Sequence, residues 1–128
     1  MKHPERVEDY LQHIVEAITR AASYLEPLSS IEDFEKNAQA QDAVIRNIEI
    51  IGEAAAKIQQ QAPEFVKEYP GLPWVQMRTM RNKVIHAYFD VELPVVWSTV
   101  KNDLPKLKHQ IDRLLIDLKK HAPENREQ

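Results

Sequence analysis

Residues 78–88 carry the side chains in this chain that are best suited to chemistry on an anion. The stretch reads Arg-Thr-Met-Arg-Asn-Lys-Val-Ile-His-Ala-Tyr, so Arg78, Arg81, Lys83 and His86 follow one another closely. Residues 70–89 contain no Asp or Glu, although the whole chain has a net charge of -3. Cations attract phosphate, and histidine exchanges protons near neutral pH. The segment therefore predicts a site for an anion such as phosphate.

Composition narrows the class of protein. The 128 residues include no cysteine, which excludes disulfides, thiolate metal sites and a cysteine nucleophile. Only two glycines are present, which excludes a Gly-rich phosphate loop. No apolar run is long enough for a signal peptide or a membrane span, so we expect a cytoplasmic protein without a membrane partner. We expect a single helical domain at residues 1–121, followed by a polar tail at residues 122–128.

Apolar residues recur at steps of three and four along three long segments, as they do in amphipathic helices. The first stripe, ahead of Pro27, is Val7, Leu11, Ile14, Ile18, Ala21 and Leu25. The second, ahead of Pro63, is Val44, Ile48, Ile51, Ala55 and Ile58. The last is Leu104, Leu107, Ile111, Leu114 and Leu118. These stripes predict an all-α, up-and-down bundle of four to five helices. Because the first two resemble coiled-coil seams, self-association and packing within one chain both remain open.

The cationic segment falls on a further helix between the second and last stripes. The run Pro70-Gly71-Leu72-Pro73 is a clear break, and Pro73 suits the first turn of the helix that follows. We expect Trp74, Met77 and Met80 of this helix to lie in the core. Serine and aspartate favour helix starts, so we expect caps at Ser30, Asp90 and Asp103.

Helical spacing separates the two residues with the clearest chemistry. Arg81 and His86 are five positions apart, and such positions point about 140° away from each other in a regular helix. Asn82 and His86 share a face, as do Arg81 and Tyr88. Arg81 and His86 could meet through a long arginine side chain, through a helix distorted near His86, or in a site built from two subunits. Asn82 would then hold the imidazole or contact phosphate.

The second long helix carries a polar stripe formed by Asp42, Arg46, Glu49 and Glu53. One interpretation is an exposed ladder of ion pairs, each contributing a few tenths of a kcal/mol. The other is that Glu53 or Arg46 faces the anion site and orients Arg81 or His86. Both interpretations are open from the sequence.

Several of these segments resemble one known family. Arg81-Asn82-Lys83-Val84-Ile85-His86-Ala87-Tyr88, preceded by Trp74 and Met77, resembles the Arg-x4-His-x-Tyr signature of HepT-like toxins. These are ribonucleases of the HEPN superfamily. Ile51-Gly52-Glu53-Ala54 and Val95-Val96-Trp97, with Asn102-Asp103-Leu104-Pro105, resemble further segments of the family. The resemblance covers nearly the whole chain.

The resemblance implies a fold, an activity and two partners. The fold would be an all-α homodimer in which the two Arg-x4-His motifs meet in an interface cleft. The activity would be metal-independent cleavage of RNA, with Arg81 and His86 as the catalytic pair and no cofactor. The second partner would be a minimal nucleotidyltransferase antitoxin, which transfers AMP to Tyr88 and so neutralises the toxin.

The residues fit this chemistry on physical grounds. RNA carries its own nucleophile, the 2′-hydroxyl, so an enzyme must move protons and stabilise charge on the phosphate. His86 can act as acid or base, and Arg81 offers a planar fork for phosphate. Arg78 and Lys83 would guide the RNA, and the expected products are a 2′,3′-cyclic phosphate and a 5′-hydroxyl. AMP on Tyr88 would block RNA entry and neutralise the basic cleft.

Plainer explanations exist for each of these residues. A lone histidine is usually structural or solvated, clustered cations are usually a solvated face, and tyrosine usually packs. The other histidines, His3, His13, His109 and His121, lack the spacing of a metal site, and we expect them at the surface. The alternative function is a non-catalytic helical module that binds nucleotide or RNA, or that presents substrate to a nucleotidyltransferase.

Overall fold

The protein is built from helices around one apolar core. The structure, a computed structural model, describes the backbone of residues 2–86 and 92–121 and the side chains of residues 6–80 and 92–120. In these ranges the chain forms α1 Lys2–Leu25, α2 Ile31–Glu35, α3 Ala38–Gln61, α4 Pro63–Glu68, α5 Trp74–His86, α6 Leu93–Ser98, a π-helix Thr99–Asp103 and α7 Leu104–His121. The described residues contain no strand. The predicted all-α fold is confirmed.

Four long helices, α1, α3, α5 and α7, form the bundle. Helix α3 packs most extensively against α1 and next against α5, while α1 also contacts α7. The predicted stripes of α1 and α3 are buried, and α7 buries its stripe as far as Leu114, with Leu118 partly buried. Each fully buried Leu or Ile contributes about 1.5–3 kcal/mol to folding. The stripes therefore supply the main attraction between the helices.

Short helices and caps connect the long helices. The Ser30 side chain accepts a hydrogen bond from the Asp33 backbone N–H at 3.3 Å, which confirms the predicted cap of α2. The Asn37 side chain caps α3 by accepting from the Ala40 N–H at 2.9 Å. Helices α1 and α3 end at Leu25 and Gln61, shortly before the prolines that were expected to stop them. Local chemistry thus sets most helix boundaries.

Helix α5 is anchored at its amino-terminal end. The indole N–H of Trp74 donates to the carbonyl oxygen of Tyr69 at 2.9 Å, and the Trp74 ring lies 6.3 Å from the ring of Phe65. Trp74 and Met77 are buried, and Met80 is partly buried against the core, as predicted. This anchoring fixes where α5 begins and which face it turns inward.

The carboxyl-terminal third differs from the sequence expectation. Asp103 was expected to cap a separate last helix, but it lies inside a π-helix that joins α6 directly to α7. The N–H of Leu104 bonds to the carbonyl of Thr99, five residues earlier. Pro105 has no N–H, and its ring clashes with the carbonyl four residues back in a regular helix. A wider turn before Pro105 relieves that clash, so the helix continues without a cap.

Two further expectations concern the start of α6 and the carboxyl-terminal tail. Asp90 and the tail at residues 122–128 lie outside the described residues. Helix α6 has Glu92 at its cap position, with no side-chain cap bond, and Pro94 in its first turn. None of the helices in the described ranges is both long and apolar enough to cross a membrane.

Candidate functional site

The Arg-x4-His segment lies on α5. The backbone is α-helical from Trp74 to His86, so it is regular across both Arg81 and His86. The side chains of Arg81, Asn82, Lys83 and His86 are not among those described, and Tyr88 lies outside the described residues altogether. The backbone nevertheless places each motif residue of α5 on a defined face.

The two motif residues occupy opposite faces of α5. Arg81 comes four positions after Met77, which is fully buried, so it continues the inward face of the helix. His86 comes eleven positions after Val75, and eleven residues bring a helix back to within about 20° of the same direction. Val75 is 57% exposed, so His86 continues the outward face, together with Asn82. A regular helix of one chain does not turn both residues to the same side.

Two predicted cations remain, Arg78 and Lys83. Arg78 is exposed and lies between these two faces. Lys83 continues the face that carries Gln76 and Met80, at steps of four and three residues. Cations therefore occur on several sides of α5.

The polar stripe of α3 is an exposed set of ion pairs. The Arg46 guanidinium lies 3.9 Å from the Glu49 carboxylate and 3.9 Å from the Glu53 carboxylate. The side chains of Arg46 and Glu53 are 65% and 50% exposed. Such exposed pairs contribute at most about 1 kcal/mol. The ion-pair interpretation is supported, and a role for Glu53 in orienting Arg81 or His86 stays a prediction.

Glu53 also lines a groove of about 490 Å³ between α1 and α3, beside Tyr10, His13 and Lys57. The ring of Tyr10 meets the ring of His13 edge-on, with 6.4 Å between the ring centres. From the sequence, His13 was expected to be an isolated surface residue. It is exposed, as expected, but it shares this groove with Glu53. The three-residue spacing of Tyr10 and His13 was the signal that could have linked them.

A polar contact joins Tyr69, just before the Pro70–Pro73 break, to helix α7. The hydroxyl of Tyr69 donates to the Asp117 carboxylate at 3.3 Å. Burial, together with the neighbouring negative charge of Asp117, raises the pKa of the Tyr69 phenol above its ordinary value. The phenol therefore stays neutral and acts as a donor. These two residues lie 48 positions apart, so no local pattern in the sequence links them.

Comparison with known proteins adds to this geometry. Residues 14–114 match the family model described as Ribonuclease HepT-like. A probable ribonuclease HepT of Thermococcus cleftensis is 43% identical over 107 residues, which cover 84% of this chain and 94% of the relative. A putative RNase of Caldanaerobacter subterraneus subsp. tengcongensis is 33% identical over 106 residues, covering 83% of this chain and 91% of the relative.

A third relative is longer. A gamma-glutamylcyclotransferase and putative RNase of Methanocaldococcus jannaschii is 41% identical over 115 residues, covering 90% of this chain but 50% of the relative. No solved structure matches this chain with significance.

The described residues form an all-helical bundle with an Arg-x4-His segment on one long helix, and the family match places this bundle in the class of helical ribonucleases. The family match and the relatives show more narrowly that the chain belongs to the HepT-like ribonuclease family. Its substrate class is therefore RNA. The resemblance inferred from residues 81–88 is confirmed.

Proposed function

We propose that the protein is a metal-independent endoribonuclease, the toxin of a toxin–antitoxin pair, with Arg81 and His86 as its catalytic residues. Membership in the ribonuclease family carries the activity, and the Arg-x4-His segment on α5 carries the assignment of residues. Arg78 and Lys83 supply further positive charge for the RNA backbone. The toxin role, the metal independence and the neutralisation extend the resemblance of residues 81–88 to HepT-like toxins, while the helical geometry of α5 supports a dimeric site.

The reaction needs two proton transfers and one site of charge stabilisation. The 2′-hydroxyl loses its proton to His86 and attacks the adjacent phosphorus, forming the 2′,3′-cyclic phosphate. The bond from phosphorus to the 5′-oxygen breaks, and the imidazolium of His86 gives its proton to that oxygen, which leaves as a hydroxyl. The guanidinium of Arg81 stabilises the charge that builds on the phosphate oxygens. Every step uses groups of the protein and the RNA.

The unit of function is a homodimer. Arg81 continues the inward face of α5 and His86 its outward face, so a regular α5 does not turn both to one phosphate. A second chain docked along the outward face would bring its own motif beside the first. Val75, an exposed apolar residue on that face, gives such an interface an apolar contact. Asn82, on the same face as His86, would hold the imidazole or contact phosphate, and Glu53 would act from α3.

Neutralisation is assigned to a minimal nucleotidyltransferase that transfers AMP to Tyr88. The phenol oxygen would attack the α-phosphorus of a nucleoside triphosphate, and pyrophosphate would leave. The attached nucleotide adds bulk and negative charge two residues from His86. It would thereby repel RNA from the cations of α5.

A His86→Ala variant tests the catalytic assignment. We expect expression of the wild-type chain alone to arrest growth and cleave RNA, and His86→Ala to lower the cleavage rate by about 10²–10⁴-fold, the usual contribution of an acid–base group. The matched control is His109→Ala, because His109 is an exposed histidine of α7. Unchanged cleavage by His86→Ala, measured on purified protein with a labelled RNA, would contradict the proposal.

A further inference from the structure

Two cavities lie along α7, one against α5 and the other against the break before α5. The first, about 270 Å³, lies where Gln76 and Met80 of α5 face Asp103 and Lys106, and its lining extends to Gln110. Met80 directly precedes Arg81 in the chain. This cavity is therefore lined by the same helix that carries the Arg-x4-His segment.

The second cavity, about 620 Å³, continues along α7. Tyr69 and Gly71 of the break before α5 form one wall, and Arg113, Ile116 and Lys120 are among the α7 residues of the other. Gln110 lines both cavities, and its side-chain amide donates to the carbonyl of Gly71 at 3.3 Å. The two cavities therefore adjoin at Gln110, and we call them together the α5–α7 groove.

Cations recur along the α7 wall of the groove. Lys106, Arg113 and Lys120 are exposed and follow one another at steps of seven residues, so they stay on one face of the helix. Their backbone positions span about 21 Å at 1.5 Å per residue. The three positive charges exceed the two negative charges of the lining, those of Asp103 and Asp117. The groove thus favours a polyanion that runs along α7.

The groove also offers surfaces for flat, weakly polar groups. Ile116 is 55% exposed although it is apolar, and it lines the groove opposite the half-buried ring of Tyr69. The Tyr69 hydroxyl bonds to Asp117, which holds the ring in place and engages that carboxylate. Nucleic-acid bases pack on aromatic and apolar side chains, while cations track their phosphates. Phosphate-binding and base-binding features therefore occur in one groove.

The groove is continuous with the catalytic helix. Gln76, Met80 and Lys83 lie at steps of four and three on α5, so the face that lines the groove continues through the position of Lys83. Met80 lies at the Lys106 end of the groove, whereas Lys120 lies at the opposite end. An RNA strand bound at Lys83 could therefore run on along α7.

We propose that the α5–α7 groove binds the single-stranded RNA on one side of the cleaved bond. Lys106, Arg113 and Lys120 contact successive stretches of its phosphate backbone, and Tyr69 and Ile116 contact its bases. The inference rests on the proposed ribonuclease activity. It adds a substrate-binding surface outside the Arg-x4-His-x-Tyr segment.

The test compares long and minimal substrates. In an Arg113→Gln/Lys120→Gln variant, we expect kcat/KM for a single-stranded 20-nucleotide RNA to fall about 20-fold at 0.1 M salt, because two phosphate contacts are lost. The dinucleotide UpU contains the scissile phosphate and no other, so its kcat/KM should stay at the wild-type value. In an added His86→Ala background, which slows cleavage, the slope of log Kd against the logarithm of salt concentration should fall by about 1.4 for the 20-nucleotide RNA.

The matched control removes the same charge elsewhere. An Arg20→Gln/Lys119→Gln variant changes two exposed cations of α1 and α7 that do not line the groove. If it loses as much 20-nucleotide cleavage as the groove variant, the effect is general electrostatics and the proposal is wrong. The single changes Lys120→Gln and Lys119→Gln repeat the comparison at two exposed sites should the double variant unfold.

Two other results are informative. Unchanged RNA binding by the groove variant, with loss of binding to the nucleotidyltransferase, would make the groove a protein-docking surface and overturn the inference. The second result is a wild-type protein that binds the 20-nucleotide RNA through the groove and cleaves neither this RNA nor UpU. That result would refute the ribonuclease proposal instead. The two failures are therefore distinguishable.

Discussion

Tyr88 follows His86 by two residues, and this closeness is what would make a modified tyrosine inhibitory. A nucleotide attached there would add negative charge beside the residues proposed to bind and cleave RNA. Its proposed role depends on chemistry at the phenol oxygen, and phenylalanine keeps the ring but removes that oxygen. Replacing Tyr88 by phenylalanine therefore separates RNA cleavage from neutralisation.

We expect a Tyr88→Phe variant to cleave RNA at a rate near that of wild type and to escape neutralisation by the nucleotidyltransferase. Intact-mass spectrometry after incubation with the transferase and ATP should show added AMP on the wild-type chain and none on the variant. Tyr24→Phe, at an exposed tyrosine of α1, is the control and should still be modified. AMP found on Tyr88→Phe would assign the acceptor to another residue.

At the scale of elements, stability depends on the apolar seam between α1 and α3. Ile51 is fully buried on α3, whereas Ile116 on α7 is 55% exposed. The same substitution at the two sites therefore shows how much burial of the side chain contributes to the free energy of unfolding. The polar stripe on the other side of α3 consists of long, exposed ion pairs. Its contribution to stability is small by comparison.

Ile51→Ala should lower the free energy of unfolding by about 2–5 kcal/mol, because it removes buried methyl groups and leaves a cavity. Ile116→Ala should change it by no more than about 0.5 kcal/mol, since an exposed side chain loses little packing. Urea unfolding followed by circular dichroism, at one fixed protein concentration, measures both values. Equal losses for the two variants would show that α3 is not the centre of the core.

At the scale of the whole molecule, the proposed site requires two chains. The outward face of α5 carries Val75 and Thr79, both exposed, and continues through Asn82 to His86. A dimer formed along this face would cover Val75 and bring the two motifs together. A charged residue at Val75 would then oppose both assembly and catalysis.

We expect Val75→Asp to shift the protein from dimer to monomer in sedimentation velocity and to lower RNA cleavage at least about 10-fold, because burying an unpaired carboxylate in an apolar contact is costly. Raising the protein concentration should restore part of the activity. Val95→Asp changes another exposed valine, on α6, and should remain a fully active dimer. A Val75→Asp monomer with full activity would place the complete site within one chain.

Much of the fold follows from local features of the chain. The spacing of residues such as Leu11 and Ile48 predicts which helix faces are buried, and Pro27 and Pro63 predict where two helices stop. The prediction for Asp103 was wrong because a cap preference is local. The preference was overridden when α6 and α7 joined through a π-turn that accommodates Pro105.

The sequence by itself determined the all-α class, the long helices and the family, because periodicity, proline breaks and the Arg81–Tyr88 motif are properties of short segments. The tertiary structure alone decided that Gln110 meets Gly71 and that Tyr69 meets Asp117, contacts that join positions 39 and 48 residues apart. Such contacts depend on how all the helices pack at once, which no local pattern specifies. The α5–α7 groove exists only because of that packing.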